Sequence, residues 1–374
     1  MQSLASRERL HKQKEKPMKN KSLLSLLITF LCSCLLWGSG SCKIALPTST
    51  PQEVVKDSIA ERMLLYQRNN GGWPQPGGNA IDYNKTLPEA LKATLRTEKN
   101  NLDATIDDQA TTREIKTLVS TYKKTHNLAY LQAAERGINY LLTAQNPAGG
   151  WGQFYPDTSG YRKHITFNDN AMIDVMWLMK SISERVNDFE NVDKSLIPRA
   201  KVAVEKGINC ILKTQFIQKG KLTAWGAQHD RTTLLPAKAR AFELASLSGS
   251  ESVGIVRFLM SVDNPSPEIR KAINAAVAWL DASKIVGIKT QDIVDATQTK
   301  GKDRIVVADP NSTVWARFYD LETNKPFFTG RDSVPRATLA EIENERRVGY
   351  AYYGTWPAKL LSTEYPNWVQ KWGK

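Results

Sequence analysis

Two short acidic clusters are the first places where this sequence offers metal-binding chemistry. The strings are IDDQATTREIKTL, which contains Asp107, and HITFNDNAMIDVM, which contains Asp169. If both clusters face one groove, their carboxylates could share a cation with oxygen ligands, as Ca²⁺ requires. The four histidines show no spacing that predicts a zinc site. Each aspartate has a simpler interpretation as the N-cap of the helix that follows it.

A third cluster is rich in cationic side chains, among them His229, Lys238 and Arg240. Arg240 lies in a polar Pro/Ala/Ser loop, where a forked guanidinium can bind a sugar carboxylate through two hydrogen bonds. A surface ion pair is an equally weighted alternative for Arg240. Further arginines follow the cluster, at Arg257, Arg317, Arg331 and Arg336. Because Arg257 falls within a helical pattern, we expect it to form an outward ion pair.

The three clusters share a scaffold, since each follows an apolar run that ends in glutamine and leads into a tryptophan loop. The matched tryptophans are Trp73, Trp151 and Trp225, separated by 78 and 74 residues. A unit of this length holds a pair of helices and a loop, which predicts a ring or barrel of helix pairs. If the loops meet at one end, the indoles can stack on sugar rings. Core positions at helix ends are the alternative.

Helical periodicity covers most of the body of the chain. The helical segments are 53–68, 111–125, 129–145, 170–186, 197–215, 252–261 and 267–283. We expect loops at 81–101 and 287–309, and a small β element near residues 303–320. A last helical stretch is predicted within 337–361, around GYAYYGTWP, whose Trp356 repeats the tryptophan theme. The body has no clear domain break, and residues 53–374 are predicted to form one mainly α domain.

The N-terminus has the features of a targeting segment. From Met18 it reads MKNKSLLSLLITFLCSCLLWGSGSC, with two lysines, an apolar stretch and small residues. Residues 1–42 are interpreted as a signal or lipoprotein segment, in which Cys34 or Cys42 could carry a lipid. The residues before Met18 are either a long n-region or sequence upstream of the start codon in use, and 43–52 form a linker. We expect a bacterial protein that is secreted, periplasmic or attached to the outer membrane at the cell surface.

The charge balance favours an anionic partner. The net charge is +13, and because the N-terminal segment holds only part of the excess, the body retains about +8. The chain lacks a Gly-x-Ser-x-Gly elbow, a phosphate-binding Gly-rich loop and a dinucleotide fingerprint. No recognition-helix, RNP or zinc motif accompanies the charge, so we do not expect a nucleic-acid partner. We expect a monomer with Cys210 as a buried apolar residue.

Nine dispersed strings, in order, resemble the family 10 polysaccharide lyases, which are pectate lyases built on an (α/α) toroid. The strings are GGWPQ, DDQATTREI, GGWGQFYP, HITFNDNAMIDVM, TAWGAQHDRTTLLPAKARAFE, SLSGSESVGIVRFLM, WARFYDLETNKPFF, GRD and ERRVGYAYYGTWP. The resemblance spans about residues 50 to 365. It implies cleavage of polygalacturonate, the acidic polymer of pectin, by β-elimination with calcium, giving 4,5-unsaturated oligogalacturonides.

The resemblance also assigns roles to residues. Asp107 and Asp169 match the groove carboxylates that bind calcium and substrate, Arg240 matches the catalytic base, and Arg331 matches a clamp for a substrate carboxylate. Arg257 is the main rival for the base. We expect Arg257, His229 and the three tryptophans (Trp73, Trp151 and Trp225) to contribute to substrate binding.

The chain departs from the family pattern at the calcium site. It has Asp107-Asp108-Gln109 where Asp-Asn is usual, and Asn168-Asp169-Asn170 where Asn-Asp-Asp is usual. One carboxylate is therefore lost and one gained, which changes the expected ligand set. Asp108 could supply the charge that Asn170 lacks.

Arginine is an unusual base because its pKa exceeds about 12. Either clustered positive charge lowers the pKa of Arg240 at alkaline pH, or Arg240 stabilises charge while a hydroxide-like water takes the proton. Two other functions stay open. One is a glycoside hydrolase acting on an acidic polysaccharide, with Asp230 or Glu243 as acid or base. The other is a non-catalytic lipoprotein that captures oligogalacturonate.

Overall fold

Apolar side chains at helical spacing produce ten α-helices within the described residues, 54–298 and 300–373, of this computed structural model. They are α1 (Ser58–Tyr66), α2 (Glu89–Thr97), α3 (Thr112–Thr125), α4 (Leu128–Ala144), α5 (Ala171–Glu184), α6 (Leu196–Thr214), α7 (Glu251–Met260), α8 (Pro267–Ala282), α9 (Asn344–Gly349) and α10 (Tyr365–Trp372). The predicted signal segment and linker, with their cysteines, lie outside the described residues. The mainly α prediction is confirmed.

Two-residue strands join the loops at the helix ends, and two longer strands form a hairpin. They are β1 (Ile165–Thr166), β2 (Ile217–Gln218), β3 (Lys221–Leu222), β4 (Gln228–His229), β5 (Leu247–Ser248), β6 (Ile285–Val294), β7 (Lys302–Ala316), β8 (Phe318–Tyr319), β9 (Phe328–Thr329), β10 (Pro335–Arg336) and β11 (Tyr353–Gly354). All pairs are antiparallel: β1 with β4, β2 with β3, β5 with β8, β9 with β10, and β7 with both β6 and β11. The long β6–β7 hairpin confirms the predicted β element and extends it towards the N-terminus.

The helices pack as pairs in two layers. Helices α3, α5 and α7 are neighbours in one layer, while α1, α4, α6 and α8 follow one another in the other. The pairs α3–α4, α5–α6 and α7–α8 connect the layers. Because α5 and α7 bury most of their side chains and α6 exposes more of its own, the first layer is the inner one. Each loop that runs from an outer helix to an inner helix crosses the same end of the unit.

The repeated tryptophans cap the outer helices. The indole Nε1 atoms of Trp73, Trp151 and Trp225 each donate to a carbonyl in the last turn of the preceding outer helix, at 2.8 Å in all three cases. The acceptors are the carbonyls of Met63, Leu141 and Ile211. Carbonyls in the last turn of a helix lack a full set of helical partners, so a buried indole N–H adds a donor. The Met63 carbonyl also accepts from the Gln67 N–H, and the Ile211 carbonyl also accepts from the Thr214 hydroxyl.

The repeated glutamines tie each outer helix to the next. Gln67, Gln145 and Gln215 occupy the C-cap positions of α1, α4 and α6. Each amide donates to a carbonyl in its own loop and to a carbonyl in the middle of the following outer helix, at Ala133, Ala203 or Ala272. Gly71 and Gly149 complete the first two loops with φ of 97° and 93°, where a Cβ would lie 2.3 Å from a carbonyl oxygen of the next helix.

A fourth member of this series is Trp315 on β7, whose indole donates to the carbonyl of Leu280 in α8 at 2.7 Å. The sequence points to Trp356 instead. In the structure Trp356 is half-buried and has no such bond among the described residues. The GYAYYGTWP string is also not helical, because α9 ends at Gly349 and the tyrosines continue into β11, which pairs with β7.

The prediction of a loop at 81–101 is wrong over its second half, where α2 lies. This helix has nine residues, and Leu91 and Leu95 are its only large apolar side chains, which is too short a pattern to show a helical period in the sequence. The loop expected at 287–309 is also wrong, since most of it forms the hairpin. No helix among residues 54–298 and 300–373 has the length and apolar character needed to span a bilayer.

Candidate active site

The acidic clusters form tight turns just before α3 and α5. Asp108 and Gln109 have φ of 43° and 64°, and Asp169 and Asn170 have φ of 48° and 61°. Side chains other than glycine are uncommon in this left-handed region, and residues held there often mark functional sites. The shared conformation makes Asp108 the structural equivalent of Asp169. Asp107 corresponds to Asn168 in the same comparison of the two turns.

The tryptophan loops hold these turns in place. The backbone N–H groups of Thr105, Thr166 and Ser248 donate to the carbonyls of Trp73, Trp151 and Trp225, at 3.0, 3.0 and 2.7 Å respectively. The same scaffold therefore positions the start of each inner helix. None of the three aspartates accepts a capping hydrogen bond from the helix that follows it. The N-cap interpretation is not what the structure shows.

Asp107 lies where the two turns and the third cluster meet. Burial raises the pKa of Asp107, and the nearby charges of Asp108 and Asp169 raise it further, whereas Gln153 and Arg240 oppose the change. Contacts link Asp169 and Arg240 as well, because Arg317 donates to Asp169 at 2.8 Å and the Arg317 and Arg240 guanidiniums lie over the same Tyr350 ring, at 4.8 and 6.0 Å. Gln75 donates to Asp108 at 2.7 Å. Two loops of the first half of the chain thus supply a cluster of carboxylates that repel one another.

Arg240 faces this cluster and is held by its own glutamate. Its Nε and Nη2 atoms both donate to Glu243, with 2.7 Å from Nε to Oε2. The Tyr350 hydroxyl donates to the same carboxylate at 3.0 Å, and the Arg240 guanidinium lies over the Phe242 ring at 4.9 Å. The hydrogen bonds to Glu243 raise the pKa of Arg240 and outweigh the opposing effect of burial. Arg240 is therefore a cation near neutral pH.

The structure adds Arg317, which the sequence presents only as one of several later arginines. Its Nη2 donates to Asp169 at 2.8 Å and also to Glu251, which is buried at the start of α7. Burial alone would lower the pKa of Arg317, but the charges of Glu251 and Asp169 raise it overall. Asp169 and Arg317 are 148 residues apart, so no local pattern indicates this contact.

Arg331 also belongs to this surface. Its Nε and Nη2 atoms each donate to Glu345 at 3.0 Å, and Arg346 binds the same carboxylate. The hydrogen bonds from Arg346 and then Arg331 lower the pKa of Glu345 to about 2. The guanidinium groups of Arg331 and Arg346 lie 5.8 and 4.5 Å from the centroid of the Phe242 ring, which Arg240 also covers. Phe242 thus brings three guanidinium groups together.

Five of the expected binding residues lie elsewhere. Trp73, Trp151 and Trp225 have no exposed surface, so the prediction that they stack on sugars is wrong and the core interpretation holds. His229 is also fully buried, and burial lowers its pKa to about 4. Its ring joins the N–H of Gly226 to the carbonyl of Leu234, and it cannot contact substrate.

Arg257 is the fifth of these residues. It forms a forked ion pair with Glu364 at 2.6 Å, on a π-helical turn (Leu360–Glu364) near the C-terminus. The outward ion pair expected from its helical position is therefore present. No described charge of the candidate site contacts Arg257. Cys210 is buried, as predicted.

Within the described ranges, no group of three or more His, Cys, Asp or Glu side chains has the arrangement of a complete metal site. The carboxylates of Asp107 and Asp169 can supply oxygen ligands to a cation, but they are too few to fill its coordination shell. The buried Oδ1 atom of Asn168, next to Asp169, has no hydrogen-bond partner in the described part of the chain. Any cation here must therefore take several ligands from water or from substrate.

Comparison with known proteins supports these observations. The family model described as pectic acid lyase matches residues 67–361. The structure is similar to that of a family 10 polysaccharide lyase from Cellvibrio cellulosa, with a TM-score of 0.72 and 36% identity over 84% of this chain and 92% of the other. It is equally similar to a mutant of a Cellvibrio cellulosa family 10 lyase in complex with trigalacturonic acid, with a TM-score of 0.72, 35% identity, and 85% and 93% coverage.

A comparison with curated proteins found no match. The predicted (α/α) toroid is confirmed by the two similar structures. The family model covers most of the chain, and both similar structures share the toroid and more than a third of the sequence. The turns that carry Asp107 and Asp169, Arg240 and Arg331 all lie within the matched range. The chain therefore belongs to the pectic acid lyase family and is a polysaccharide lyase.

Proposed function

We propose that this lyase cleaves polygalacturonate by calcium-assisted β-elimination, with Arg240 as the base, and releases 4,5-unsaturated oligogalacturonides. The observation that carries the proposal is the contact of Asp169 with Arg317 at 2.8 Å and the position of the Arg317 and Arg240 guanidiniums over one Tyr350 ring. The charges of Asp169 and Arg240 also act on the half-buried Asp107. Both kinds of side chain suit an acidic polymer. The protein's carboxylates can bind the polymer through a shared cation, and the guanidiniums can bind the polymer's carboxylates directly. The trigalacturonic acid in a similar structure supports the same class of substrate.

The reaction requires positive charge next to the substrate carboxylate. The C5 hydrogen of a uronate lies next to the C6 carboxylate, and its removal builds negative charge on that carboxylate. Groups that bind this charge more strongly in the transition state than in the ground state lower the barrier. Arg240 and Arg331 are suitably charged for this task. Arg331 is the proposed clamp for a substrate carboxylate, because its Nη1 edge has no acceptor among the described residues.

The residues present fit a calcium ion shared with substrate. Asp107 and Asp169 would bind the ion, and Asp108 and the unpaired Oδ1 atom of Asn168 could serve as further ligands. A bound cation would relieve the repulsion that raises the pKa of Asp107. Because Ca²⁺ takes about 6 to 8 oxygen ligands, substrate carboxylate and water must complete the shell. When bound, the ion supplies positive charge next to the C6 carboxylate.

Arg240 then has to accept the C5 proton. The proton moves to Nη1 of a neutral Arg240, the C5–H electron pair forms the C4–C5 double bond, and the C4–O4 bond breaks. The departing oxygen takes a proton from solvent. Because Glu243 raises the pKa of Arg240, the neutral form is scarce near pH 7 and the rate should rise towards alkaline pH. This pairing argues against the lowered pKa of Arg240 that the sequence leaves open.

We also propose how the protein is organised and located. Residues 1–42 direct export or lipid attachment, 43–52 form a linker, and 53–374 form the catalytic domain. The protein acts outside the bacterial cytoplasm as a secreted, periplasmic or cell-surface lipoprotein, and as a monomer. The basic body supports this assignment, since it attracts an acidic polymer.

The test is to follow the ultraviolet absorbance of purified protein with polygalacturonate at alkaline pH. A rise that a chelator abolishes and added Ca²⁺ restores is the expected result, because only elimination produces a conjugated unsaturated uronide. New reducing ends without absorbance would instead mean hydrolysis. Binding without either signal would mean a capture protein. Absorbance that survives the chelator would refute the role of calcium alone.

A further inference from the structure

The arginines of the site are all held in the same way. A glutamate accepts from the Nε and Nη2 atoms of each guanidinium, so that Glu243 holds Arg240, Glu345 holds Arg331 and Glu251 holds Arg317. In each case Nη1 has no acceptor among the described residues. In all three arginines the Nε–Nη2 edge therefore faces the glutamate, and Nη1 is left for another partner.

Glu243 combines four hydrogen-bond donors with burial, whereas Glu345 also has four donors but its side chain is 43% exposed. Its Oε2 atom accepts from Nε and from the backbone N–H of Arg240, at 2.7 and 3.2 Å, and Oε1 accepts from Nη2 and from the Tyr350 hydroxyl. The Glu243 side chain is 2% exposed, whereas that of Arg240 is 44% exposed. A carboxylate with four donors and almost no contact with solvent is unsuited to bind a cation or to act as a base.

We propose that Glu243 is the positioning residue of Arg240: it binds the Nε–Nη2 edge and leaves Nη1 as the nitrogen that meets the C5 proton. The turn that carries both residues fixes this geometry, because the Glu243 N–H donates to the Arg240 carbonyl at 2.9 Å and the Ala239 N–H donates to the Glu243 carbonyl at 2.9 Å. The Phe242 ring beneath the guanidinium limits its rotation. A reacting nitrogen fixed in this way meets its proton in one orientation.

The inference rests on the proposed function and adds a consequence for pH dependence. Glu243 makes the largest contribution to the raised pKa of Arg240. The other charged or titratable groups that act on Arg240 are Tyr350, Tyr161, Asp107 and Arg331, and all of them remain when Glu243 is changed to glutamine. Loss of the Glu243 charge should therefore lower the pH at which Arg240 becomes neutral. It should also loosen the guanidinium and reduce turnover.

The experiment is a profile of kcat and KM against pH for the wild-type protein and Glu243→Gln, with saturating Ca²⁺. The expected result is that the alkaline limb of kcat moves down by about one pH unit or more, while the plateau kcat falls by about tenfold and KM changes by less than about threefold. The matched control is Asp292→Asn, which removes the carboxylate that holds Arg304 in the same forked manner on the β6–β7 hairpin. The Asp292→Asn change should leave kcat, KM and the alkaline limb of the kcat profile unchanged.

An unmoved limb in a folded Glu243→Gln protein would overturn the inference, whatever the plateau rate. If that variant fails to fold, Glu243→Asp keeps the charge and shortens the arm by one methylene. A fall in kcat of about tenfold with the wild-type limb would then support the inference, and a kcat within about twofold of wild type would overturn it. Failure of the proposed function is a separate result, because the wild-type protein would then give no chelator-sensitive absorbance.

Discussion

The second and third repeat units use the same scaffold to present an acid in opposite ways. In the second unit, Trp151 leads to Asp169 just before α5, and in the third unit Trp225 leads to Glu251 at the start of α7. Both carboxylates bind Nη2 of Arg317, but the Asp169 side chain is 42% exposed and the Glu251 side chain is 1% exposed. One acid remains available to a ligand, whereas the other is committed to holding an arginine.

This difference separates scaffold from chemistry. The tryptophan and glutamine caps recur almost without change, so the repeat fixes where each inner helix begins. The residues that follow the caps vary, and this variation makes the site. The first two units contribute exposed aspartates in left-handed turns, and the later part of the chain contributes arginines supported by buried or paired glutamates. Substitutions in the arginines, in the acidic residues and in the tryptophan caps should therefore change activity and stability to different extents.

The largest expected loss is that of Arg240→Ala. We expect kcat/KM on polygalacturonate to fall by at least about 10³-fold, because the proposed base and a stabilising charge are lost together. The measurement is the initial rate of ultraviolet absorbance. The matched control is Arg257→Ala, since Arg257 is also forked onto a glutamate and its side chain is 40% exposed, against 44% for Arg240. Equal rates for the two variants would contradict the assignment.

The next effect is on stability and concerns the acid of the third unit. Glu251→Gln should lower the free energy of unfolding by about 3 kcal/mol, because Arg317 is buried and would lose its main charge partner. Denaturation by urea measures the change. Activity per folded molecule should fall less than stability suggests, since Asp169 still contacts Arg317. A free energy of unfolding equal to that of the wild-type protein would show that the burial of this pair does not matter.

The acid of the second unit should show the reverse pattern. Asp169→Asn is expected to reduce kcat/KM by about 10²-fold, and more Ca²⁺ should be needed for half-maximal rate, because a charged oxygen ligand is lost. The free energy of unfolding should change by less than about 1 kcal/mol, since the Asp169 side chain is 42% exposed and Glu251 still neutralises Arg317. A Ca²⁺ titration of the rate and a urea denaturation curve test the two halves. Lost stability with unchanged Ca²⁺ dependence would assign Asp169 to the scaffold.

Most of the fold could be predicted from sequence because apolar periodicity and burial report the same property. Helices α3 to α8 begin and end within two residues of their predicted bounds. Helix α2 is too short to show a helical period in the sequence, and the tyrosine-rich string after Gly349 enters a strand because aromatic residues also favour strands. In both places the local pattern is weaker than the tertiary contacts that decide the structure.

The site could be predicted only in part. The recurrence of acidic clusters and the family resemblance indicated Asp107, Asp169 and Arg240, which the structure brings together. Arg317 has no signal beyond its place in the string WARFYDLETNKPFF, because its partners lie 66 and 148 residues away. The tryptophans were misassigned as sugar platforms for a physical reason. An indole at the end of a helix has the same sequence context whether its N–H caps a buried carbonyl or its face meets a ligand.

The smallest effect should come from the caps that all units share. Trp225→Phe removes one donor to the Ile211 carbonyl, which keeps the Thr214 hydroxyl, and retains most of the buried ring, so the free energy of unfolding should fall by about 1 kcal/mol. Trp73→Phe and Trp151→Phe are the matched variants, and they should lose similar amounts, because each indole makes the same 2.8 Å bond. Thermal denaturation and steady-state kinetics on the three proteins provide the comparison. KM should stay at the wild-type value in all three, since none of these rings reaches the surface. A raised KM with an unchanged Tm in any one of them would return that tryptophan to the substrate groove and break the division between a repeated scaffold and a variable site.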